Sequence, residues 1–199
     1  MGKDFLCEVF GSIHFSMIFT TSQTDQDLLQ ILELQQRNLA SALLPDEIAS
    51  QGFVTVAHRF EDLKKMNEVE RHVIAKENDR VVAYVLAMTE KSKNDIPVLL
   101  PLFEIFNKIT FRTKKISLYN YLVVGQVCVA KGFRGQGLFD ACYTEYKKRF
   151  SHRYDFTITE ISKKNIRSMK AHQRVGFETI HEYQDYNGID WNIVVWDWL

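Results

Sequence analysis

Glycine, proline and cysteine are all scarce in this chain, with nine, three and three among 199 residues. With three prolines and no repeat or low-complexity stretch, nothing marks an internal linker, so residues 1–199 read as one domain. The cysteines, Cys7, Cys128 and Cys142, are odd in number and scattered, and no Cys-x-x-Cys or paired histidine spacing occurs. That excludes a disulfide scaffold and argues against a metal site; it implies free buried thiols in a reducing, cytoplasmic setting. Net charge is absent too: 25 basic residues balance 25 acidic ones, which argues against a general nucleic-acid binder. No apolar run approaches the roughly 20 residues needed to cross a bilayer, so no membrane partner is expected. The stretch 5–19 is broken by Glu8 and His14 and preceded only by Lys3 and Asp4, unlike a secretory signal. What is present is ample core material, 46% hydrophobic and 13% aromatic.

The scarce glycines are not evenly spread. Gly132, Gly135 and Gly137 fall within six residues, beside Arg134. Leu122 to Ala130 before them is β-branched and apolar, interrupted only by Gly125 and Gln126, and reads as a strand buried on both faces. After Gly137 the spacing turns helical, with Leu138, Phe139, Cys142, Tyr143 and Tyr146 as an apolar stripe. A strand therefore feeds a glycine turn that opens a helix. Unpaired N–H groups and the helix dipole favour phosphate there, and glycine lets the backbone come close. A Walker loop is excluded because no Lys-Ser/Thr follows the glycines. The dinucleotide fingerprint fails because Asp140 stands where its third glycine would be. Residues 131–174 carry eleven Lys and Arg against Asp140, Glu145, Asp155 and Glu160, a surplus of seven that suits an anionic ligand.

Around this centre the elements follow from periodicity and punctuation. Leu28 to Leu43 keep a helical period capped at Thr24 or Asp25, and Pro45 ends it. Residues 53–57 form a short strand and 60–68 a polar helix. The sequence predicts a hairpin pairing His72–Lys76 with Val81–Thr89 across Asn78-Asp79. Lys91 to Asp95 is a polar loop, Leu102–Ile109 a short helix, and Arg112–Lys115 a basic stretch. Asp155 to Ser162 alternates as a strand, and Asn165 to Arg174 is a helix stopped by Gly176. Strands Phe177–Tyr183 and Ile189–Trp198 flank the turn Asn187-Gly188. The order is strand, two helices, three strands, then strand–helix–strand–helix–strand–strand. The central crossover implies one parallel pair in an otherwise antiparallel sheet. The last strand, with Trp191, Trp196 and Trp198, is either core or the seam of a homodimer.

Arg134-Gly135-Gln136-Gly137-Leu138-Phe139 fits Arg-x-x-Gly-x-Gly/Ala, and so resembles the pyrophosphate motif of the GNAT superfamily of acyl-CoA-dependent N-acetyltransferases. Phe139 departs from the usual small residue. A second signature, Asn165-x-x-Ser168-x-x-x-His172-x-x-x-Gly176-Phe177, resembles the family's Asn-x-x-Ala-x-x-x-Tyr-x-x-x-Gly-Phe helix, with Ser168 at the alanine and His172 at the tyrosine. At roughly 100° per residue, Asn165, Ser168 and His172 share about a 60° arc, with Ile166 and Met169 beside them as the packing face. The predicted element order is also that of the GNAT fold, an α+β three-layer architecture: a mixed, mostly antiparallel sheet with a central parallel pair, flanked by helices.

The resemblance implies direct transfer of an acetyl group from acetyl-CoA to the primary amine of a small molecule or peptide, with no metal. Val127, Cys128 and Val129 would receive pantetheine and supply an N–H for the oxyanion. Arg134, Gly135, Gln136, Gly137, Leu138 and Phe139 would hold the pyrophosphate, and Asn165 the pantetheine arm. His172 stands where the family often places the acid that protonates the thiolate, although an imidazole near pKa 6.5 differs from a phenol near 10. Glu160 is the carboxylate available as base, since Gln126, where some members carry glutamate, cannot serve. The segment 97–121, rich in Phe and Tyr, would be core or the wall of an acceptor pocket. Two other classes stand beside this one. A silent acyl-CoA-binding module is suggested by Phe139, Gln126 and His172, and a nucleotide-dependent enzyme is disfavoured by the glycine spacing.

Overall fold

The computed structural model describes residues 17–94, 96 and 99–199; Cys7, Pro97 and most of the 5–19 stretch lie outside them. Seven strands form one sheet in the order β1-β2-β3-β6-β7-β9-β8. They are β1 (Met17–Thr21), β2 (Val73–Glu77), β3 (Arg80–Met88), β6 (Tyr121–Val129), β7 (Phe156–Ser162), β8 (Glu178–Gln184) and β9 (Asp190–Asp197). Every pairing is antiparallel except β6 with β7. That exception follows from the crossover helix α5 (Leu138–Phe150) between them. Helices α1 (Asp25–Gln36), α3 (Phe60–Val69) and α4 (Leu100–Phe106) supply Leu28, Leu63 and Phe106 to the core on one face of the sheet. On the other face α5 buries Cys142, Tyr143 and Tyr146, and α6 (Ile166–Val175) packs beside it. The expected α+β three-layer architecture is thus the one observed.

Local chemistry explains most boundaries. Thr24 and Asp27 form a reciprocal capping box at the start of α1. Asn78 and Asp79 both take positive φ, 48° and 62°, the conformation that a two-residue hairpin turn demands. Gly176 ends α6 in the left-handed region.

Several expectations are corrected. The helix predicted to run to Leu43 ends at Gln36, and Pro45 opens a new helix, α2 (Pro45–Gln51), instead of ending one. A proline at the first helical position loses no hydrogen bond, because that N–H has no partner within the helix anyway. Residues 53–57 are no strand; they touch strand-like structure only through a bridge between Leu39 and Val54. The polar loop after β3 is a 3₁₀ turn, Glu90–Asn94. Arg112, at φ 53°, is in the turn of a miniature hairpin, β4 (Thr110–Phe111) with β5 (Lys114–Lys115). Ile166 is 56% exposed and does not pack. The aromatic segment is core: Phe106 and Phe111 make edge contacts with Tyr121 and Phe156. Trp196 and Trp198, both half-buried, pack against Tyr143 and Tyr146 of α5.

Candidate active site

The parallel pair is short by design of its side chains. β6 and β7 register only at Tyr121–Phe156, Leu122–Thr157 and Val123–Ile158. Thr157 and Thr159 then donate from their hydroxyls to the carbonyls of Leu122 and Val124, at 2.9 and 2.8 Å. Beyond Val124 a β-bulge interrupts the pairing of β6 with β3, between the partners of Val85 and Ala87, and falls at Gly125 and Gln126. The two strands part there. Ala130 donates to Val82 of β3, so by alternation Val127 and Val129 turn their N–H groups away from β3, into the split, while Cys128 faces β3. Of the three residues expected to meet pantetheine, Val127 and Val129 therefore present backbone donors. Cys128 contributes its side chain to the cavity wall, and burial pushes its thiol up to about 12, which keeps it protonated.

A cavity of about 660 Å³ runs from this split to the glycine turn. Gly135 and Gly137 both line it with φ of 75° and 79°, and a Cβ built on either would meet no atom within 4 Å. The turn is thus an open cradle at the N-terminus of α5, a 13-residue helix whose first N–H groups are unpaired. Arg134, Leu138, Phe139 and Asn165 also line the cavity. Gln136 does not line it; its amide turns back to donate to Gly132 O at 2.9 Å. Phe139 is resolved as a wall residue, with its ring 4.9 Å from Tyr143 and edge-on to His172 at 5.2 Å. Arg134 has no carboxylate partner among the described residues. Its donors go to Val129 O, Gln51 and Asn38, all neutral, and Glu47, the carboxylate that feels its charge, is bonded to Lys131.

A smaller cavity of about 80 Å³ continues the split toward β7 and is lined by Gln126, Glu160, Ser162, Ser168, His172 and Trp191. Asn165 lines it too, and it and Gln126 have definite tasks. Gln126 accepts from Gln35 and Tyr84 and donates to Val56 O at 2.8 Å, so it anchors the 53–57 segment across the split. Asn165 anchors the same segment from the other side, donating to Phe53 O at 3.0 Å while its Oδ1 caps α6 through Ser168 N. These crossing contacts could not be read from spacing, because each joins residues far apart in the sequence.

His172 Nδ1 donates to Ser168 O at 2.8 Å, and its Nε2 lies 2.7 Å from Tyr143 Oη, which must then be the donor. Burial lowers the ring to about 4, so it is neutral. Both ring nitrogens are thus engaged, and His172 ties α5 to α6. Glu160 is different. Its carboxylate accepts one hydrogen bond, from Tyr183, and burial raises its pKa above the ordinary range against that bond. Glu160 is half-buried where it borders the smaller cavity.

The sequence pattern of the acetyltransferase (GNAT) family matches residues 36–177, well over half the chain. The chain belongs to that family. No curated protein sequence matches it. Among solved structures, it is similar to the ribosomal-protein-S18-alanine N-acetyltransferase of Escherichia coli, with a TM-score of 0.59 and 13% identity over 92% of this chain and 94% of that one. It is also similar to a chain of the NatC complex bound to Gag peptide and CoA, with a TM-score of 0.62 and 11% identity over 91% and 98%. A third, yncA of Salmonella typhimurium with acetyl-CoA, gives a TM-score of 0.60 and 11% identity over 92% and 94%. At such identities the likeness is one of fold.

Proposed function

We propose that this protein transfers an acetyl group from acetyl-CoA to the primary amine of a small molecule or peptide. The observation that carries the reading is the split between β6 and β7, which joins a glycine cradle at one end to the half-buried carboxylate of Glu160 at the other. In this reading Gly135, Gly137 and the first turn of α5 hold the pyrophosphate with Arg134. Val127 and Val129 turn N–H groups toward the thioester, one of them stabilising the oxyanion. The acceptor enters as R–NH₃⁺ and gives one proton to Glu160. The free amine attacks the carbonyl, the C–N bond forms, and the C–S bond breaks. A second nitrogen proton passes to the departing sulfur, and Ser168, which lines both cavities, is the hydroxyl available to relay it. Acetyl amide and CoA thiol leave, and Glu160 returns its proton to solvent. The free buried thiols of Cys128 and Cys142 suit a reducing cytoplasm.

Calorimetric titration of acetyl-CoA should give micromolar binding that Gly135→Trp abolishes, and thiol release over a panel of amines should identify the acceptor. Glu160→Gln is then expected to lower kcat by about 100-fold or more, the usual worth of a general base. One observation favours a second reading, a silent acyl-CoA-binding module. Gln126 and His172, at two positions where relatives often place ionisable catalysts, are fully occupied by structural hydrogen bonds. Tight binding without thiol release from any amine would select it.

A further inference from the structure

Glu160 sits in a register that defines a face. It pairs with Ile193 of β9, which pairs with His181 of β8; two residues on, Ser162 pairs with Trp191, which pairs with Tyr183. Directly opposed residues and i,i+2 neighbours share a side of a sheet, so Glu160, Ser162, Trp191 and Tyr183 all stand on one side. Ile193 marks it as the side packed by α1 and α3, opposite to α5 and α6. The cofactor cradle opens α5 on the other side. Acceptor and acetyl-CoA would thus approach the split from opposite faces.

On the acceptor face Tyr183 reaches across β9 to the Glu160 carboxylate, which has no other hydrogen-bond partner among the described residues. Burial raises the Tyr183 phenol, so it keeps its proton and donates. Behind it, Asp185 accepts the indole N–H of Trp191 at 3.1 Å and so fixes the ring that walls the smaller cavity. Asp185 also takes two backbone donors, Asn187 N and Ile189 N, both at 2.9 Å, which keep its charge in place.

We infer that Tyr183 is a positioning residue for the transfer, holding Glu160 as the proton acceptor for an alkylammonium whose carbon chain packs on Trp191. The inference rests on the acetyltransferase reading. A carboxylate under one phenol donor, beside an indole face, is suited to a cation and not to an alcohol or a thiol acceptor. The groups facing Glu160 are few. Tyr183 from β8 stabilises its charged form, and Asp185 beyond β8 opposes it. Gln126 from β6, Thr55 from the crossing segment and Ser162 from β7 are neutral, and His172 from α6 is a neutral ring.

Two variants therefore push the same titration in opposite directions. Tyr183→Phe removes a donor and should move the acid limb of kcat/KM to higher pH. Asp185→Asn removes a like charge while keeping an oxygen for the turn, and should move that limb to lower pH. Acetyl-CoA affinity by calorimetry should stay unchanged in both. The carboxyl carbon of Glu160, followed by ¹³C NMR through a pH titration, reads the same two shifts without any turnover. Opposed shifts by NMR confirm the positioning role even if no amine is acetylated, in which case only the enzyme reading fails. Unmoved NMR titrations in folded variants overturn the role of Tyr183. Active variants whose NMR shifts are not followed by the rate profile would show that Glu160 is not the base. A wild type that acetylates hydroxylated isosteres as well as alkylamines would overturn the cationic acceptor class.

Discussion

Single residues here are often bound twice over, and the doubled bonds separate structure from chemistry. His172 is the clearest instance. Tyr143→Phe would leave Nε2 buried without a donor, at a cost of about 1–3 kcal/mol. The expected result is a lower denaturant midpoint with kcat nearly unchanged, whereas a large loss of kcat at intact stability would give the ring a catalytic role. This residue shows what spacing can and cannot convey. The second signature put His172 on the same stripe as Asn165 and Ser168, and all three do border the smaller cavity. Spacing could not convey that Tyr143, 29 positions earlier, already held the ring. Glu160 was legible as the carboxylate on β7, but its partner Tyr183 lies two strands away across the sheet, and register between strands is not written locally.

Elements were most legible where a pattern was strong and local. The capped start of α1, the hairpin of β2 and β3, the buried strand β6 and the helix after the glycines all stand close to their expected places. The errors gather between 37 and 57, where tertiary ties outweigh propensity. Leu39 and Leu43 extend a helical period, yet the chain leaves the helix so that Leu39 can bridge Val54. Residues 53–57 look like a strand, but beyond the bridge at Val54 they are held by the side chains of Gln126 and Asn165. The split itself is also an element-scale feature, set where Thr159 replaces a ladder partner of Val124 with its own hydroxyl. Thr159→Val keeps shape and β-propensity while removing that donor. It should cost about 1–2 kcal/mol in chemical denaturation and loosen the end of the split, seen as faster amide exchange in β6 beyond Val124. An unchanged midpoint would mean that water takes over the carbonyl.

For the molecule as a whole, three buried histidines dominate the response to acid. Burial lowers His58 to about 4, His72 to about 3 and His172 to about 4, and neither ring nitrogen of His58 has a partner. The unfolded chain takes up these protons near pH 6.5 while the fold excludes them, so their stabilisation is full above that pH and is lost below it. The loss amounts to up to about 6 kcal/mol by pH 5, comparable with the whole stability of an ordinary domain. Glu160, whose pKa is raised, works the other way and offsets part of one proton. Thermal melts should fall steeply between pH 6.5 and 5, and a flat profile would mean that the rings reach solvent. The same scale gives meaning to Arg134, whose guanidinium clasps Gln51 and Asn38 at the two ends of the 38–51 stretch. A phosphate at the cradle and those two amides draw on one set of N–H donors, so occupancy and clasp are antagonists in a single free-energy cycle. Gln51→Ala should therefore tighten acetyl-CoA in calorimetry, and an unaltered affinity would mean that the arginine serves both at once. On that cycle, filling the cradle frees the 38–51 stretch, and the work of opening the clasp is subtracted from the affinity of every acetyl-CoA bound.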